Sequence, residues 1–325
     1  MHLASVVIPT YNRPAATIRA LESVKSQSHR PTEAVVVDDG STDDTAVRVE
    51  EWMAGIDEEG LSFKLIRKEN GGPSSGRNVG ISHAEGQYIY FLDSDDRMHR
   101  DLLTRAIAAL EEHSADCVLF GFDWEGADGR LRQWVPTTEE PLWSLLEGKL
   151  WGFNFSSLRT AELIAKSGAW RENSFMGEDY EFLGRSLFNS ETAVVLPVPL
   201  VQCFQQADSL SLQKESPAGL HGRLVAESSL VKEVNRHRSR VPDEVIAAYA
   251  DRLTHSALIM AAKGHSDFAR EISYLVRELR TAPRTLVGRA KRLTVARGRW
   301  ACRLWRGTAR VVKGIRTVGS RASAH

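Results

Sequence analysis

The first 120 residues alternate short, nearly continuous apolar runs with stretches whose apolar residues recur every three to four positions. The runs lie at 5–9, 34–37, 63–66, 88–92 and 117–121, and the periodic stretches at 13–26, 43–54, 74–84 and 100–113. A period near 3.6 marks helices, while apolar runs without alternation mark strands buried on both faces. This alternation predicts an α/β domain with a Rossmann-like, mostly parallel sheet and helices on both faces. In such sheets ligands gather at the carboxyl ends of the strands. The residues just beyond each run are therefore the first candidates for function.

Past residue 122 the pattern loosens. Gly126, Asp128 and Gly129 predict a hairpin or loop, 142–150, 158–166 and 179–188 read as helices, and 193–204 reads as extended. Three further helical stretches follow at 219–235, 243–263 and 267–279. The expected organisation is a domain over 1–212, a C-terminal helical region over 213–280 and a basic tail over 281–325. The tail holds twelve Lys/Arg and no Asp/Glu, whereas the preceding residues hold thirty basic and forty-two acidic side chains. Leu304, Thr308, Val311, Ile315 and Val318 would form a narrow, mainly apolar helical stripe flanked by Trp300 and Trp305. Such a segment suits peripheral contact with an anionic leaflet. It equally suits packing against the acidic body. Nucleic acid is not an expected partner, because no recognised reader module accompanies the charge.

Cys117, Cys203 and Cys302 are far apart, which excludes a Cys-rich zinc module and argues against a disulfide framework. No apolar run approaches the roughly twenty residues of a membrane span. The opening residues reach Pro9 and Asn12 without a basic n-region, so no signal peptide is predicted. The expected location is cytoplasmic, peripheral at the cytoplasmic face of the membrane if the tail engages lipid.

The strand ends carry the chemistry. The first run leads into Pro9, Thr10, Tyr11, Asn12 and Arg13, the second into Asp38 and Asp39, the fourth into Asp93, Ser94, Asp95 and Asp96. Ser41 or Asp43 can serve as an ordinary N-cap, Arg13 as a solvated helix start, and Tyr11 as a loop wedge. The Asp93/Asp95 pair is harder to dismiss. Residues two apart in an extended segment point the same way, and a divalent cation relieves the repulsion of two such carboxylates. An all-oxygen site favours Mg2+ or Mn2+, typically shared with substrate phosphates. The segment 70–78, containing Gly71, Gly72, Pro73 and Arg77, precedes a helix, so its glycines and cation suit an anion. Ordinary turn-and-cap duty fits it too. It is neither a P-loop nor a dinucleotide fingerprint. Glu178 and Asp179 open a later helix, where acids also complement the dipole.

VVIPTYNR at 6–13, VVVDDGSTDDT at 35–45, ENGGPSSGRNVGISHAEGQYIYFLDSDD at 69–96 and GEDYEF at 177–182 together resemble the family 2 glycosyltransferases. The resemblance covers roughly residues 4–211. It implies the GT-A fold, a nucleotide-diphospho-sugar donor (UDP-linked), an acceptor hydroxyl on a glycan or lipid-linked molecule, and inverting transfer in envelope or extracellular glycan synthesis. It places Pro9, Thr10, Tyr11, Arg13, Asp39, Gly72, Arg77, Asp93 and Ser94 around the donor. Within that set Thr10, Tyr11 and Asp39 lie near the base, Arg77 near the base or phosphates, and Asp93 at the ribose or sugar. Asp95 is the implied metal ligand, and Glu178–Asp179 the catalytic pair, with Asp179 as the base. Where many relatives carry a His before a Ser-x-Ser, this chain has Gln206, a weaker ligand, ahead of Ser209 and Ser211. Trp151, Phe153, Asn154, Trp170 and Met176 are the expected specificity residues, and His83 and His99 the expected helix-surface residues.

Two other classes compete. A phosphatase with an Asp-x-Asp nucleophile places its motif early and leaves Gly71–Gly72 and Glu178–Asp179 without a role. A non-catalytic nucleotide-sugar-binding protein would need neither the Asp-x-Asp nor the Glu-Asp pair.

Overall fold

The computed structural model describes residues 2–126, 129–150, 153–204 and 215–279. Among the described residues nine strands build one sheet: β1 Ala4–Thr10, β2 Thr32–Asp38, β3 Leu61–Arg67, β4 Tyr88–Phe91, β5 Arg97–Met98, β6 Cys117–Glu125, β7 Leu131–Trp134, β8 Ser157–Thr160 and β9 Ala193–Phe204. Their order is β3-β2-β1-β4-β8-β6-β9-β5, with β7 pairing β6 outside that path. The helices are α1 Pro14–Lys25, α2 Thr45–Ala54, α3 Pro73–His83, α4 Leu102–Glu112, α5 Pro141–Glu147, α6 Ala161–Ser167, α7 Glu178–Asn189, α8 Pro217–Arg236, α9 Asp243–Ala262 and α10 Ser266–Glu278.

The contacts divide the described residues into two units: those up to Leu145 with those from Lys149 to Ala226, and Leu146–Gly148 with those from Glu227 onward. In the first, β1 and β2 are buried at every position, as their unbroken apolar runs require. β1 pairs in parallel with both β2 and β4, so Thr10, Asp38 and the turn after Phe91 emerge on one side of the sheet. Valines, alanines and isoleucines of these strands fill the core against α1 and α4.

The longest ladders, β1–β2, β2–β3 and β6–β9, are parallel, as expected. The sheet is nonetheless mixed, because β8 runs antiparallel to β4 and β6, and β5 and β7 are antiparallel to their partners. One expectation is corrected. The stretch 158–166, read as one helix, begins as β8 and turns into α6 at Ala161. Thr160 caps α6, its hydroxyl accepting from the Leu163 N–H at 3.2 Å. Ladder bonds to two neighbouring strands outweigh the apolar spacing that suggested a helix. The hairpin expected around Gly126 is present as β6–β7.

Helix α3 lies unusually close to β1. A Cβ on Gly80 would sit 2.2 Å from Val7 Cγ1, and one on Gly76 3.1 Å from Pro9 Cβ. These glycines let the helix carrying Arg77 press onto the strand that ends at Thr10. Pro73 opens α3 at a position where its missing N–H costs nothing.

In the second unit α9 packs against α10, and Leu253 and Ala257 of α9 and Phe268, Ile272 and Val276 of α10 are buried. The Tyr249 hydroxyl donates to Glu227 Oε2 at 2.7 Å, and Arg252 Nη2 to the same oxygen at 3.1 Å. Among the described residues no helix is long and apolar enough to cross a membrane. The basic tail lies outside the described residues.

Candidate active site

The loops after β1 and β2 are stitched together. Asn12 adopts φ 51°, its Oδ1 accepts the Thr42 N–H at 2.8 Å, and its own N–H donates to Ser41 Oγ at 2.9 Å. Ser41 thus braces Asn12 rather than capping α2, while Asp43 Oδ1 accepts the Thr45 N–H at 2.9 Å. Tyr11 stands exposed at the tip, and Thr10 is buried with its hydroxyl 2.6 Å from Thr17 Oγ1.

Asp39 organises the glycine segment. Its Oδ1 accepts Lys68 Nζ at 2.5 Å and the Gly71 N–H at 2.9 Å, and its Oδ2 accepts the Gly72 N–H at 2.7 Å. Gly72 takes φ 86°, a conformation side chains disfavour, immediately before α3. An open depression beside it is lined by Asp38, Gly40, Ser41, Arg67, Lys68 and Asn70. Lys68 was not singled out from sequence, although it follows β3 by one residue, where strand-end reasoning would find it.

The third loop supplies the carboxylates. Asp95 pairs with Arg13 through Nη1. Burial and the neighbouring Asp93 push the Asp95 carboxyl above its ordinary range, with Arg13 opposing. Asp96 is buried and accepts the Phe204 N–H at 3.2 Å, tying this turn to the end of β9. Ser94 is buried beneath the turn.

Arg77 is the hub, only 4% exposed. Its Nη2 donates to Asp93 Oδ1 at 2.8 Å, and its Nη1 lies 3.6 Å from Asp179 Oδ1 and 3.9 Å from Glu178 Oε1. The guanidinium lies over Trp170, 4.5 Å from the ring centroid. Burial works against its charge, yet Asp93, Asp179 and Glu178 together raise its pKa. Burial likewise pushes Glu178 up to about 8 and Asp179 up to about 6, with Arg77 pulling both back. Gly177 (φ 85°) sets the entry to α7, whose first turn presents both acids. Nη1 of Arg77 and Oδ1 of Asp179 have no hydrogen-bond partner, so this polar cluster is incompletely satisfied.

The fold therefore joins residues more than eighty positions apart, Arg13 with Asp95 and Arg77 with the Glu-Asp pair, and sets Arg77 on the nearer Asp-x-Asp turn as well. Among the expected specificity residues, Trp170 is core. It stacks on Phe182 with centroids 4.1 Å apart, and Asn78 Oδ1 accepts its backbone N–H at 2.8 Å. Asn154 is buried, Phe153 stacks on Phe155, and Met176 is half-buried. Trp151, Gln206, Ser209 and Ser211 lie outside the described residues. His99 follows β5 rather than sitting on a helix, with Nε2 3.3 Å from Asp123 Oδ2.

Among the described residues no three His, Cys, Asp or Glu side chains converge as a metal cage. A Mg2+ or Mn2+ shared with a diphosphate needs only one or two protein carboxylates. The oxygen donors of Asp95 and Asp93 fit that chemistry, and the raised Asp95 carboxyl is a charge that a cation would stabilise.

Residues 5–163 match the family model described as Glycosyl transferase family 2. That segment, just under half of the chain, is similar to the family 2 glycosyltransferases. An uncharacterized glycosyltransferase of Rickettsia felis is 40% identical over 110 residues, 34% of this chain and 17% of the relative. Poly(ribitol-phosphate) beta-N-acetylglucosaminyltransferase TarS of Staphylococcus aureus is 37% identical over 128 residues, 39% of this chain and 22% of TarS. Glycosyltransferase GlyG of Streptococcus pneumoniae is 27% identical over 192 residues, 58% of each. The chain thus spans well under two thirds of these relatives. The structure of TarS residues 1–349 with UDP-GlcNAc aligns with TM-score 0.59 at 20% identity, covering 95% of this chain and 92% of that one. The likeness shows a GT-A-type fold.

Proposed function

We propose that this protein is a family 2 glycosyltransferase that transfers a sugar from a nucleotide-diphospho-sugar to an acceptor hydroxyl, with inversion. One observation carries the reading: α7 presents Asp179 beside Arg77, which also holds Asp93 of the Asp-x-Asp turn. Displacing a nucleoside diphosphate from an anomeric carbon needs charge stabilisation at the leaving phosphate and a base for the acceptor proton. The strand-end residues Pro9, Thr10, Tyr11, Arg13, Asp39 and Gly72 form the donor side. Arg77 and Asp93 hold the sugar-phosphate end, and Asp179, steered by Glu178 and Arg77, takes the acceptor proton. A Mg2+ or Mn2+ at Asp95 would neutralise the diphosphate when bound. We read the donor as UDP-linked, after the UDP and UDP-GlcNAc complexes of TarS. The acceptor is read as a glycan or lipid-linked molecule, after relatives named for poly(ribitol-phosphate) and teichuronic acid biosynthesis. Release of UDP from UDP-GlcNAc, UDP-glucose or UDP-galactose with Mn2+, and the anomeric configuration of the product by NMR, test the reading. Phosphate release, or binding without turnover, would replace it with a phosphatase or a binding protein.

The metal assignment has its own test. Asp95→Asn is expected to abolish Mn2+-stimulated UDP release while leaving the far-ultraviolet spectrum unchanged. Near-normal turnover at saturating donor and low Mn2+ would remove Asp95 from the metal site.

The tail, with twelve basic and no acidic residues, is read as a peripheral contact with an anionic leaflet at the cytoplasmic face. The full chain is expected to float with phosphatidylglycerol vesicles and a chain ending at Arg280 to stay behind. Equal behaviour of the two would assign the tail to protein packing.

A further inference from the structure

The segment between α6 and α7, residues 168–177, leads into the Glu-Asp pair and lies in neither strand nor helix. Side chains hold it in place. From α7, Arg185 Nη2 donates to the Ala169 carbonyl at 2.9 Å, and Glu181 Oε1 accepts from Arg171 Nε at 2.9 Å. From α3, Asn78 takes the residue between those two anchors. Its Oδ1 accepts the Trp170 N–H at 2.8 Å and its Nδ2 donates to the Trp170 carbonyl at 3.0 Å, while Nδ2 also donates to Glu172 Oε1 at 2.9 Å. A carboxamide donates and accepts in one plane, as a peptide group does. Asn78 therefore stands in for a neighbouring strand at a single residue.

The residue it clasps touches every element of the charged cluster. The Trp170 ring carries the Arg77 guanidinium of α3 at 4.5 Å and stacks on Phe182 of α7 at 4.1 Å, with the planes 17° apart. Its edge contact with Phe91, the last residue of β4, has centroids 5.2 Å apart. Those three elements supply Arg77, Asp179 and Asp93. Hydrogen bonding fixes only one end of the guanidinium: Nη2 donates to Asp93, whereas Nε and Nη1 have no hydrogen-bond partner. A flat aromatic face attracts a cation laid over it, so the ring sets the plane that the single bond to Asp93 leaves open.

We propose that Asn78 is a positioning residue for this site: by clasping both backbone groups of Trp170 it sets the ring that holds the Arg77 guanidinium between Asp93 and the Glu-Asp pair. The inference rests on the reading of Arg77 as the residue at the sugar-phosphate end. Asn78 acts through Trp170, its acceptor and its donors being engaged there and at Glu172.

The test reads Arg77 directly, in a 1H–15N spectrum of protein labelled at arginine Nε, with Arg77→Lys identifying the resonance. Held over the Trp170 ring, the Arg77 Nε–H is expected upfield of the other arginine resonances. Asn78→Ala is expected to abolish that upfield displacement. It should also weaken UDP binding, read by calorimetry with Mn2+, by about tenfold or more, the scale of one hydrogen bond to a charged group. If Asn78→Ala does not fold, Asn78→Asp supplies both readings, because it is isosteric yet sets an oxygen against the Trp170 carbonyl; the same changes are expected there. An Asn78 that only stabilises the fold would lower the urea midpoint and leave the Arg77 resonance and the UDP affinity in place, and that result overturns the proposal. The resonance needs no ligand. Failure of the unaltered protein to bind UDP would therefore refute the functional reading, while the clasp stands or falls on the Arg77 resonance.

Discussion

Asp179→Asn is expected to lower sugar transfer by about two or more orders of magnitude, the usual scale for losing a general base. Donor affinity, read by calorimetry with UDP and Mn2+, is expected to change little. Asp179 meets the donor side through Arg77, whose shorter contact is with Asp93. Turnover of the unaltered protein should fall as pH drops through about 6, where burial has moved the Asp179 carboxyl. The same raised pKa means that the folded state binds more protons than the unfolded one between the ordinary aspartate range and about pH 6. Stability therefore falls as pH rises through that window, and the neutral Asn side chain removes this penalty. The variant should be inactive yet no less stable than the parent at pH 7. A collapse of UDP binding would instead assign Asp179 to the donor site.

Arg77→Met is expected to be the most damaging single change in the domain. It strands Asp93, Glu178 and Asp179, which now lie 2.8–3.9 Å from the guanidinium. Removing one member of a buried charged cluster costs about 3–5 kcal/mol, measurable as a lower urea midpoint at pH 8. The loss should shrink as pH falls, because protonation of Glu178 and then Asp179 relieves the repulsion that Arg77 now offsets. Trp170 would also lose the cation over its ring. UDP binding should fall with stability. Unchanged stability at pH 8 would show that the three carboxylates do not depend on Arg77.

Much of the framework was legible because local patterns coincide with it. The first four parallel-type strands and the helices between them follow apolar runs and 3.6-residue spacing, since these strands are buried on both faces and cannot alternate. Strand-end reasoning then located Thr10, Asp39, Asp93 and Asp95 on one side of the sheet. It failed at β8, where 158–160 resembles the helix that follows. The pairing with β4 and β6 that makes it a strand spans 70 and 40 residues of chain respectively, beyond any local signal. Arg159, buried in β8, was not singled out for the same reason: it fell inside a stretch read as a helix.

What the sequence determined by itself was the inventory: an α/β frame, its functional loops, and the residue types that sugar transfer requires, each carried by short-range pattern or motif. The tertiary structure alone decided the partnerships. It set Arg13 on Asp95, placed Arg77 between the Asp-x-Asp turn and the Glu-Asp pair, turned Trp170 from a pocket wall into a support, and buried Arg159 beneath Asn154. The physical reason is that burial and charge proximity shift a carboxyl's pKa only once distant segments are packed together, and that packing is a property of the whole sheet rather than of any segment in it.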